Sequence, residues 1–586
     1  MFIMKRKAGK IVSLLIAFSM LSGMFMISFG AESNGQDLFP ESTKGIWTDY
    51  TSDSFAGGTG TQEDPYQIAT AEQFAHMAVL INSKANSSDE ANQYVCKSYK
   101  LISDIDLSSH YWIPIVALGA SFGNKGGEFD GNNKNITGLY INTDYIELTD
   151  DGRADRVGLF GSVYENSVIK NLNITSGTIK NTLTVIAQKY DESTKLIQTK
   201  GSSVGSIAGR VKVTSEDPAK ITSCSSNVNI IFSEDNPEDS SIGFDKPSIG
   251  GLVGSTESYN TFVLDSCHNY GSITILDSKS ENSVGGIVGR VGSQIDMTES
   301  SNNGDITVES GVPCNAGGIV GEAGSVLNAY GCYNTGNITG KSSSQKTGGI
   351  VGYKMNWVDE NEQSENYYIN LTACYNLGDL EGDFVGGLIG YSENRAELVS
   401  CYSSAKLTKT EVNIDDSSDN MLQGLFSLLG FGQDSSSDVD DGAIGGIAGQ
   451  LNSLTATSCY YDRVKANINK DVGVGGSNVF NGISTLTTDE MKDASNQFVA
   501  NMNSALSGKG YQYEYTNGVE YPAVVKTTSV SNVSDGASVS GSIFSNMNQG
   551  DAMFVGVVTV IAILVIALIA FIIVKRSKRK QSQLTE

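Results

Sequence analysis

Apolar and small polar residues alternate over short distances along most of the chain between positions 150 and 480. The branched apolar residues recur at every second position, and Gly or Asn separates one such stretch from the next. This period is typical of strands, since a helix would repeat its apolar positions every three to four residues. The pattern therefore predicts many short strands joined by tight turns.

One hexapeptide recurs through this region. Its closing glycines are 31 to 38 residues apart between positions 254 and 390 and farther apart elsewhere. A period near that length is the signature of a stacked repeat array. The copies are VGSIAG at 204–209, IGGLVG at 249–254, VGGIVG at 284–289, AGGIVG at 316–321, TGGIVG at 347–352, VGGLIG at 385–390 and IGGIAG at 444–449, with a shorter VGLFG at 157–161.

A second element follows the hexapeptide at a nearly constant distance, as in ESSNNGDIT at 299–307 and GCYNTGNIT at 331–339. Each repeat thus holds three short apolar stretches, which we interpret as three strands of one coil of a parallel β-helix. Stacked coils would lie about 4.8 Å apart. A β-sandwich or propeller is the alternative, but both need longer strands and hairpin turns.

The repeated glycines are predicted to be structural. Glycine takes positive φ freely, which suits a sharp corner, and paired glycines let stacked backbones approach closely. The positions are Gly251, Gly254, Gly286, Gly289, Gly318, Gly321, Gly349, Gly352, Gly387, Gly390, Gly446 and Gly449.

Cysteine and asparagine occupy fixed places in the second element. Because equivalent positions stack, the cysteines should form an internal column of small apolar thiols, with Ser300 at the vacant place. Axial disulfides are the alternative, and the lack of a CxxC or Cys/His cluster argues against a metal site. An amide ladder should lie two residues further on. The column is Cys224, Cys267, Cys332, Cys374, Cys401 and Cys459, and the ladder is Asn269, Asn302, Asn334 and Asn376.

Four tyrosines each follow a cysteine of the column directly. Because neighbouring side chains of a strand point to opposite faces, these tyrosines should point outward. They are Tyr333, Tyr375, Tyr402 and Tyr460. One interpretation is a platform for a sugar or protein ligand. The other, which we favour, is that the rings pack on one another and cover the flank of the rod.

Two amphipathic segments are predicted to be helices that cap the ends of the rod, where open strand edges need cover. The first is 71–83, with Thr70 and Gln73 as a capping box and Phe74, Met77 and Ile81 on one face. The second is 489–506, which has Thr487 and Glu490 at its start and carries Met491, Phe498, Met502 and Leu506.

The two ends of the chain predict export and membrane anchoring. Residues 1–31 have the basic start, apolar run and small residues of a signal peptide. Residues 552–574 carry no charge and are long enough to cross a bilayer, and the basic tail 575–586 places the C-terminus in the cytoplasm. Residues 527–551 are Ser-rich and are predicted to form a flexible tether before the membrane span. The domains between are 46–150 (N-terminal cap and first coils), 151–480 (repeats) and 481–526 (C-terminal cap).

Composition and charge argue against several classes of function. Among 586 residues, 65 are Asp or Glu and 40 are Lys or Arg, which argues against nucleic acid as a partner. With three His and no HExxH, a zinc protease is not supported. A polysaccharide-active enzyme is the alternative function, with Asp104, Asp106 and Asp130 as its carboxylates. These acids also suit turns, which hold Asp by bonds to its own backbone.

An insertion at 409–442 interrupts the repeats. It places seven Asp residues around the segment MLQGLFSLLGFG, in which Leu425 and Phe426 belong to an apolar patch at helical spacing. The patch could bind a partner, with calcium ordering the acids, or fold back on the rod as a short helix. No other cofactor is expected.

The hexapeptide resembles the GLUG motif of bacterial surface proteins. The entry GGTGTQEDPYQIATAEQF at 57–74, LISDIDL at 101–107, FDGNNKNITGLYI at 129–141 and the closing LTTDEMK at 486–492 through GVEYPAV at 518–524 are similar to that family. The resemblance covers residues 46–525 and implies a right-handed parallel β-helix. GLUG repeats accompany adhesin-like proteins and some immunoglobulin A-cleaving proteases, in which the repeats are not the protease. The sequence therefore predicts a non-catalytic, single-pass cell-surface protein that binds a glycan or protein outside the cell.

Overall fold

The computed structural model describes residues 39–40, 43–83, 92–120, 125–145, 155–191, 194–200, 202–235, 246–257, 260–342, 344–356, 368–410, 443–475, 482–516 and 520–527. Contacts divide the chain into residues 1–41 and 42–586, and the fold below belongs to the second unit. The predicted signal peptide, tether, membrane span and tail, and positions 411–442 of the insertion, lie outside the described residues. Among those that are described, no helix is both long enough and apolar enough to span a bilayer.

The fold is all-β, built from three large sheets in which strands of successive repeats pair in parallel. One coil shows the order. It runs from Cys314–Gly317 in sheet 3 through Val320–Ala323 and Leu327–Tyr330 in sheet 1 to Tyr333–Asn334 and Ile338–Gly340 in sheet 2. Each of these strands pairs with its counterpart in the next coil, as Val320 does with Val351 and Tyr333 with Tyr375. This coil-over-coil pairing is the one that a parallel β-helix requires, although each coil contains five short strands where the sequence predicted three.

The strand bounds follow the three sheets. Sheet 1 contains Tyr66–Ile68, Ser98–Leu101, Glu128–Asp130, Phe160–Tyr164, Val168–Lys170, Ala208–Lys212, Ala219–Thr222, Val253–Glu257, Phe262–Asp265, Val288–Val291, Ile295–Thr298, Val320–Ala323, Leu327–Tyr330, Val351–Lys354, Ile369–Thr372, Ile389–Val399, Ala448–Thr457 and Val472–Gly475. Sheet 2 contains Ile105–Asp106, Asn135–Thr137, Leu139–Asn142, Asn173–Asp191, Thr194–Lys200, Ser225–Asp235, His268–Asn269, Ile273–Asp277, Ser301–Asn302, Ile306–Val308, Tyr333–Asn334, Ile338–Gly340, Tyr375–Asn376, Leu380–Gly382, Tyr402–Ser403, Leu407–Lys409, Cys459–Asp462 and Ile483–Leu486. Sheet 3 contains Arg156–Val157, Ser203–Gly205, Ser248–Gly250, Asn282–Gly285, Cys314–Gly317, Lys346–Gly348, Phe384–Gly386 and Ile444–Gly445, and a separate hairpin pairs Tyr511–Glu514 with Ala523–Lys526.

The apolar positions of the hexapeptide fill the interior. Its fourth residue is fully buried in every full copy, namely Ile207, Leu252, Ile287, Ile319, Ile350, Leu388 and Ile447. Successive coils therefore stack Ile or Leu side chains from equivalent positions on one another, which buries a continuous apolar core along the rod.

The hexapeptide glycines are needed for close approach of backbones, and the prediction that they supply positive φ is wrong. None of them has a positive φ. A Cβ added to Gly321 would lie 2.6 Å from Gly289 O and Val284 N, because sheets 1 and 3 meet there backbone to backbone. The left-handed corner instead falls on the residue before each cysteine-column position, at Ser223, Ser266, Glu299, Gly331, Ala373, Ser400 and Ser458.

The predicted N-terminal helix is present as α1, Ala71–Asn82, followed by the short α2, Asn92–Val95; a 3-10 turn at Trp47–Asp49 precedes both. Thr70 Oγ1 accepts a hydrogen bond from Gln73 N, while Gln73 Oε1 accepts from Ala69 N, one residue before the expected partner. The Phe74 ring packs 4.6 Å from that of Trp112, so α1 buries its apolar face on the first coils.

Candidate binding surfaces on the coil stack

The six cysteines at the equivalent position of the repeat lie inside the rod, one coil above another. All are buried and none forms a disulfide. Each of these thiols donates to backbone carbonyls beside it, as Cys401 Sγ does to Leu371 O at 3.3 Å and Cys267 Sγ to Ile221 O at 3.4 Å. Ser300 occupies the vacant place, where its Oγ accepts a hydrogen bond from Cys267 N at 3.1 Å. Burial raises the pKa of Cys267, Cys332 and Cys401, which keeps these thiols protonated.

We expect one fast-reacting thiol in the native protein and eight in denaturant. Seven of the eight cysteines are buried, and Cys96 alone is partly exposed. A thiol reagent should therefore modify only Cys96 until the rod unfolds, because the remaining thiols have no contact with water. Thiol titration before and after denaturation, without reductant, measures both numbers. A denatured count lower by two or more would instead indicate axial disulfides.

The four asparagines form a continuous amide ladder in the interior. Nδ2 of Asn269, Asn302 and Asn334 each donates to Oδ1 of the asparagine in the next coil, at 2.8 Å in every case. Each amide also donates to the carbonyl of the glycine two residues later, such as Gly336 O at 2.8 Å. The ladder is fully buried, and its mutual bonds satisfy polar groups that have no access to water.

The ladder explains the second glycine of the hexapeptide. A Cβ on Gly318 would meet Asn334 Cγ at 2.4 Å, and one on Gly349 would meet Asn376 Cγ at 2.3 Å. The glycine and the asparagine therefore depend on each other across the coil. Where the ladder position carries the smaller Ser226, the hexapeptide carries Ser206 instead of glycine.

The tyrosine row is stacked and covered, so the interpretation as an exposed ligand platform is wrong. Tyr333 and Tyr375 lie 4.8 Å apart, and Tyr375 and Tyr402 lie 5.1 Å apart, with 3° between the ring planes in both pairs. Tyr375 thus stacks on a ring in the coil on either side, whereas a sugar would need a free face. Tyr375, Tyr402 and Tyr460 are also buried beneath the end of the chain.

The covering element is the C-terminal segment, of which residues 487–516 and 520–527 are described. It contains α3, Thr488–Lys492, and α4, Gln497–Ala505, where the sequence predicted one helix, because Asp493 forms a turn with Ser495 and Asn496 caps α4. The capping box of Thr487 and Glu490 is present as predicted.

This segment lies along the flank, although the sequence predicted a cap on the end of the rod. The Phe498 ring packs 5.5 Å from that of Tyr460, and Tyr513 packs 5.6 Å from Tyr402. Further back along the rod, Lys526 forms an ion pair with Glu299 at 2.6 Å. The segment therefore returns over several coils and buries its apolar side chains, such as Phe498, Met502 and Tyr513, on the tyrosine row.

A second surface, which the sequence did not single out, follows the line where sheets 3 and 1 meet. We call it the junction surface. It consists of the residues just before the hexapeptide and just after its closing glycine, and the two columns face each other. The first column is Ser203, Ser248, Ser283, Asn315, Lys346 and Phe384, and the second is Arg210, Ser255, Arg290, Glu322, Tyr353, Tyr391 and Gln450.

Contacts across the junction surface hold its side chains in place. Glu322 is fully buried and accepts from Asn315 Nδ2 at 2.9 Å and Ser283 Oγ at 3.1 Å, with Arg290 Nε at 3.2 Å. In the next coils, Lys346 Nζ lies 4.7 Å from the ring centre of Tyr353. The sequence signal for this surface is the polar or aromatic residue that follows each closing glycine, which the pattern of apolar positions does not reveal.

Lys354 points into the rod beside this surface, in register with Ala323 and Ser392. Burial lowers its pKa from 10.5 to about 8, against the opposing effect of Glu322 and Glu393. A lowered lysine pKa disfavours the charged form in the folded state. The free-energy penalty that buried Lys354 imposes on folding is therefore at its full value below about pH 8, where the lysine is protonated in both the folded and the unfolded protein. The penalty disappears as the pH rises to 10.5.

We expect Lys354→Met to stabilise the protein at pH 7, by at most about 3 kcal/mol, since each pKa unit corresponds to about 1.4 kcal/mol. The gain should shrink as the pH approaches 10, where the unfolded wild type also loses its proton. Urea unfolding of both proteins at pH 7 and pH 10 measures it, and the exposed Lys406→Met is the control. An equal difference at the two pH values would contradict the expectation.

The three carboxylates of the enzyme alternative all accept backbone hydrogen bonds, Asp106 and Asp130 within their own turns and Asp104 from a distant segment. Asp104 Oδ1 accepts from Asn135 N, Asp106 from Ser108 N and Asp130 from Asn132 N, at 2.8 to 2.9 Å. The bonds from Ser108 lower the pKa of Asp106, whereas a general acid for glycoside cleavage needs a raised pKa. Within the described ranges, no group of three or more His, Cys, Asp or Glu residues could hold a metal ion. Leu425, Phe426 and the Asp residues expected to bind calcium lie outside those ranges.

Comparisons with known proteins give limited matches. No family model matches the chain. A curated protein named "Putative Gly-rich membrane protein" from Evansella cellulosilytica is 35% identical over 133 residues, which is 21% of this chain and 12% of that protein. The chain thus spans about an eighth of that relative. A solved structure titled as a putative immunoglobulin A1 protease from Bacteroides ovatus has 14% identity and a TM-score of 0.35, covering 80% of this chain and 94% of the other.

Proposed function

We propose that this chain is a GLUG-type bacterial surface protein whose right-handed parallel β-helix is displayed outside the cell for adhesion or ligand binding, without catalysis. The signal peptide 1–31 exports it, and residues 552–574 anchor it in the lipid bilayer with the C-terminus in the cytoplasm. The partial match to a protein named for the membrane supports this location.

The observation that carries the proposal is the junction surface. Its partly exposed side chains are those of Arg210, Arg290, Lys346, Tyr391 and Gln450. Contacts with its buried members, such as Glu322 and Tyr353, fix these side chains before any ligand arrives. A preorganised surface loses little side-chain entropy on binding. Lys346 contributes a cation at its aromatic end, where Tyr353, Tyr391 and Phe384 lie close together. Such a surface suits an extracellular glycan or protein better than it suits a cleavage reaction.

The location is tested by labelling intact cells with a reagent that does not cross the membrane. Modification of the ectodomain on intact cells supports display, and modification only after lysis contradicts it. The binding role is tested with the full-length protein, reconstituted in bilayer discs, on arrays of glycans and matrix proteins, with and without calcium.

A matched pair of charge reversals locates the binding surface. Lys346→Glu changes the junction surface, whereas Lys406→Glu makes the same change at an exposed position just before the strand Leu407–Lys409 of sheet 2. Loss of an array signal in Lys346→Glu alone supports the junction surface, and equal signals in the two variants contradict it. Release of reducing ends or unsaturated sugars from polysaccharides would favour the enzyme alternative.

A further inference from the structure

A cleft of about 550 Å³ opens near the first coils, at the start of three neighbouring strands of sheet 1, Ser98–Leu101, Glu128–Asp130 and Val168–Lys170. Its volume lies in the range of small-molecule sites. It is far along the chain from both the tyrosine row and the junction surface. Its polar and charged side chains come from Thr61, Gln62, Lys97, Ser98, Lys125 and Glu128.

Among the residues that line the cleft, the lysines Lys97 and Lys125 outnumber the one carboxylate, Glu128. Glu128 lies 2.8 Å from Lys170 Nζ, so its charge is already paired. Among the ion pairs formed within the described part of the chain, none involves Lys97 or Lys125. In a chain with a formal net charge of −25, two lysines on one concave surface with no ion pair to any described residue are unexpected. Low-dielectric walls strengthen the field that such a cleft presents to an anion.

The cleft also holds the accessible thiol. Cys96 lines it and donates a hydrogen bond to Lys125 O at 3.2 Å. Burial raises the pKa of Cys96, and the nearby Lys125 ammonium acts in the opposite direction. The Lys125 ammonium therefore lies close enough to Cys96 to attract or repel a charged reagent that approaches this thiol.

We propose that this cleft binds the carboxylate or sulfate group of a small acidic ligand, of the size of one or two sugar rings. Lys97 and Lys125 attract the anion, and the side chains of Thr61, Gln62 and Ser98 offer hydrogen bonds to hydroxyl groups. Lysine acts on an anion as a flexible point charge, so the site selects for charge more than for one geometry. This site would operate whether or not the chain is displayed at the cell surface.

Alkylation of Cys96 in the native full-length protein tests the charge of the cleft. Iodoacetate is anionic and iodoacetamide is neutral, and the other thiols are buried. We expect the rate ratio of iodoacetate to iodoacetamide to exceed that of free glutathione, and to fall several-fold in the double variant Lys97→Gln/Lys125→Gln. The control Lys406→Gln/Lys509→Gln, with two exposed lysines elsewhere, should leave the ratio unchanged. A wild-type ratio equal to that of glutathione, or no fall in the double variant, would overturn the proposal.

Protection of Cys96 from iodoacetamide identifies the ligand chemistry. The probes are sodium sulfate, glucuronate, N-acetylneuraminate and neutral glucose. Protection by sulfate and both acids indicates a general anion site, and protection by the acids alone indicates an acidic-sugar site. Protection by glucose equal to that by glucuronate, or no protection by any anion at millimolar concentration, would contradict the proposal. The count of unreactive thiols shows that each variant is folded.

Discussion

Gly349→Ala should unfold the protein or destabilise it by more than about 4 kcal/mol, among the largest effects of a single substitution. A Cβ at this position would lie 2.3 Å from both Asn376 Cγ and Gly387 O. Neither neighbour can withdraw, since Asn376 belongs to the buried amide ladder and Gly387 O to the backbone of the next coil. The added methyl group would therefore force adjacent coils apart.

Gly311→Ala is the matched control. A Cβ there meets nothing within 4 Å, and its φ is not positive. Its effect should be within about 0.5 kcal/mol, as for an ordinary surface change. Denaturant unfolding of both variants measures the contrast. Similar stabilities for Gly349→Ala and Gly311→Ala would show that the coils do not pack as closely as described.

Asn334→Ala should cost about 4 kcal/mol. The substitution removes the bonds to Asn376 Oδ1 and Gly336 O and leaves Asn302 Nδ2 without its acceptor at 2.8 Å. A buried polar group that loses its partner costs about 1–3 kcal/mol, and two amides of the ladder lose one here. The ladder is also interrupted at its centre, which removes any mutual polarisation of the bonds.

Asn337→Ala provides the comparison three residues later. Asn337 also accepts a bond from the next coil, from Asp379 N at 2.9 Å, but that pair is exposed to water. Water can replace the lost bond, so the expected cost is below about 1 kcal/mol. Chemical denaturation with thermal melts compares the two variants. A loss in Asn337→Ala as large as that in Asn334→Ala would contradict a special role for the buried ladder.

The repeat itself was predictable from the sequence. The hexapeptide, the cysteine position and the asparagine position recur at fixed spacing, and stacking places equal positions above one another, so the interior columns follow directly. The period of two correctly placed Cys374 and Asn376 inside and Tyr375 outside. It could not show whether the outward tyrosines meet water or another part of the chain.

The reason for the glycines also required the structure. From composition, a paired glycine is equally consistent with a left-handed turn and with a close contact. In the structure, the left-handed turn lies at residues such as Ser400 (φ 51°), and Gly349 does not have a positive φ. The candidate surfaces depend on the same kind of information. Lys97 and Lys125 line one cleft only because strands distant in sequence begin at the same edge of sheet 1.

The sequence by itself determined the all-β character, the parallel register of the coils and the contents of the core, because a periodic chain stacks each residue on its own equivalent. Only the tertiary structure decided that the C-terminal segment covers the tyrosine row, that sheets 1 and 3 meet in a charged junction surface, and that two lysines share a cleft. These features arise where segments without the repeat, or two different faces of the coil, come together. No local period records such contacts, since they depend on the path of the chain through space.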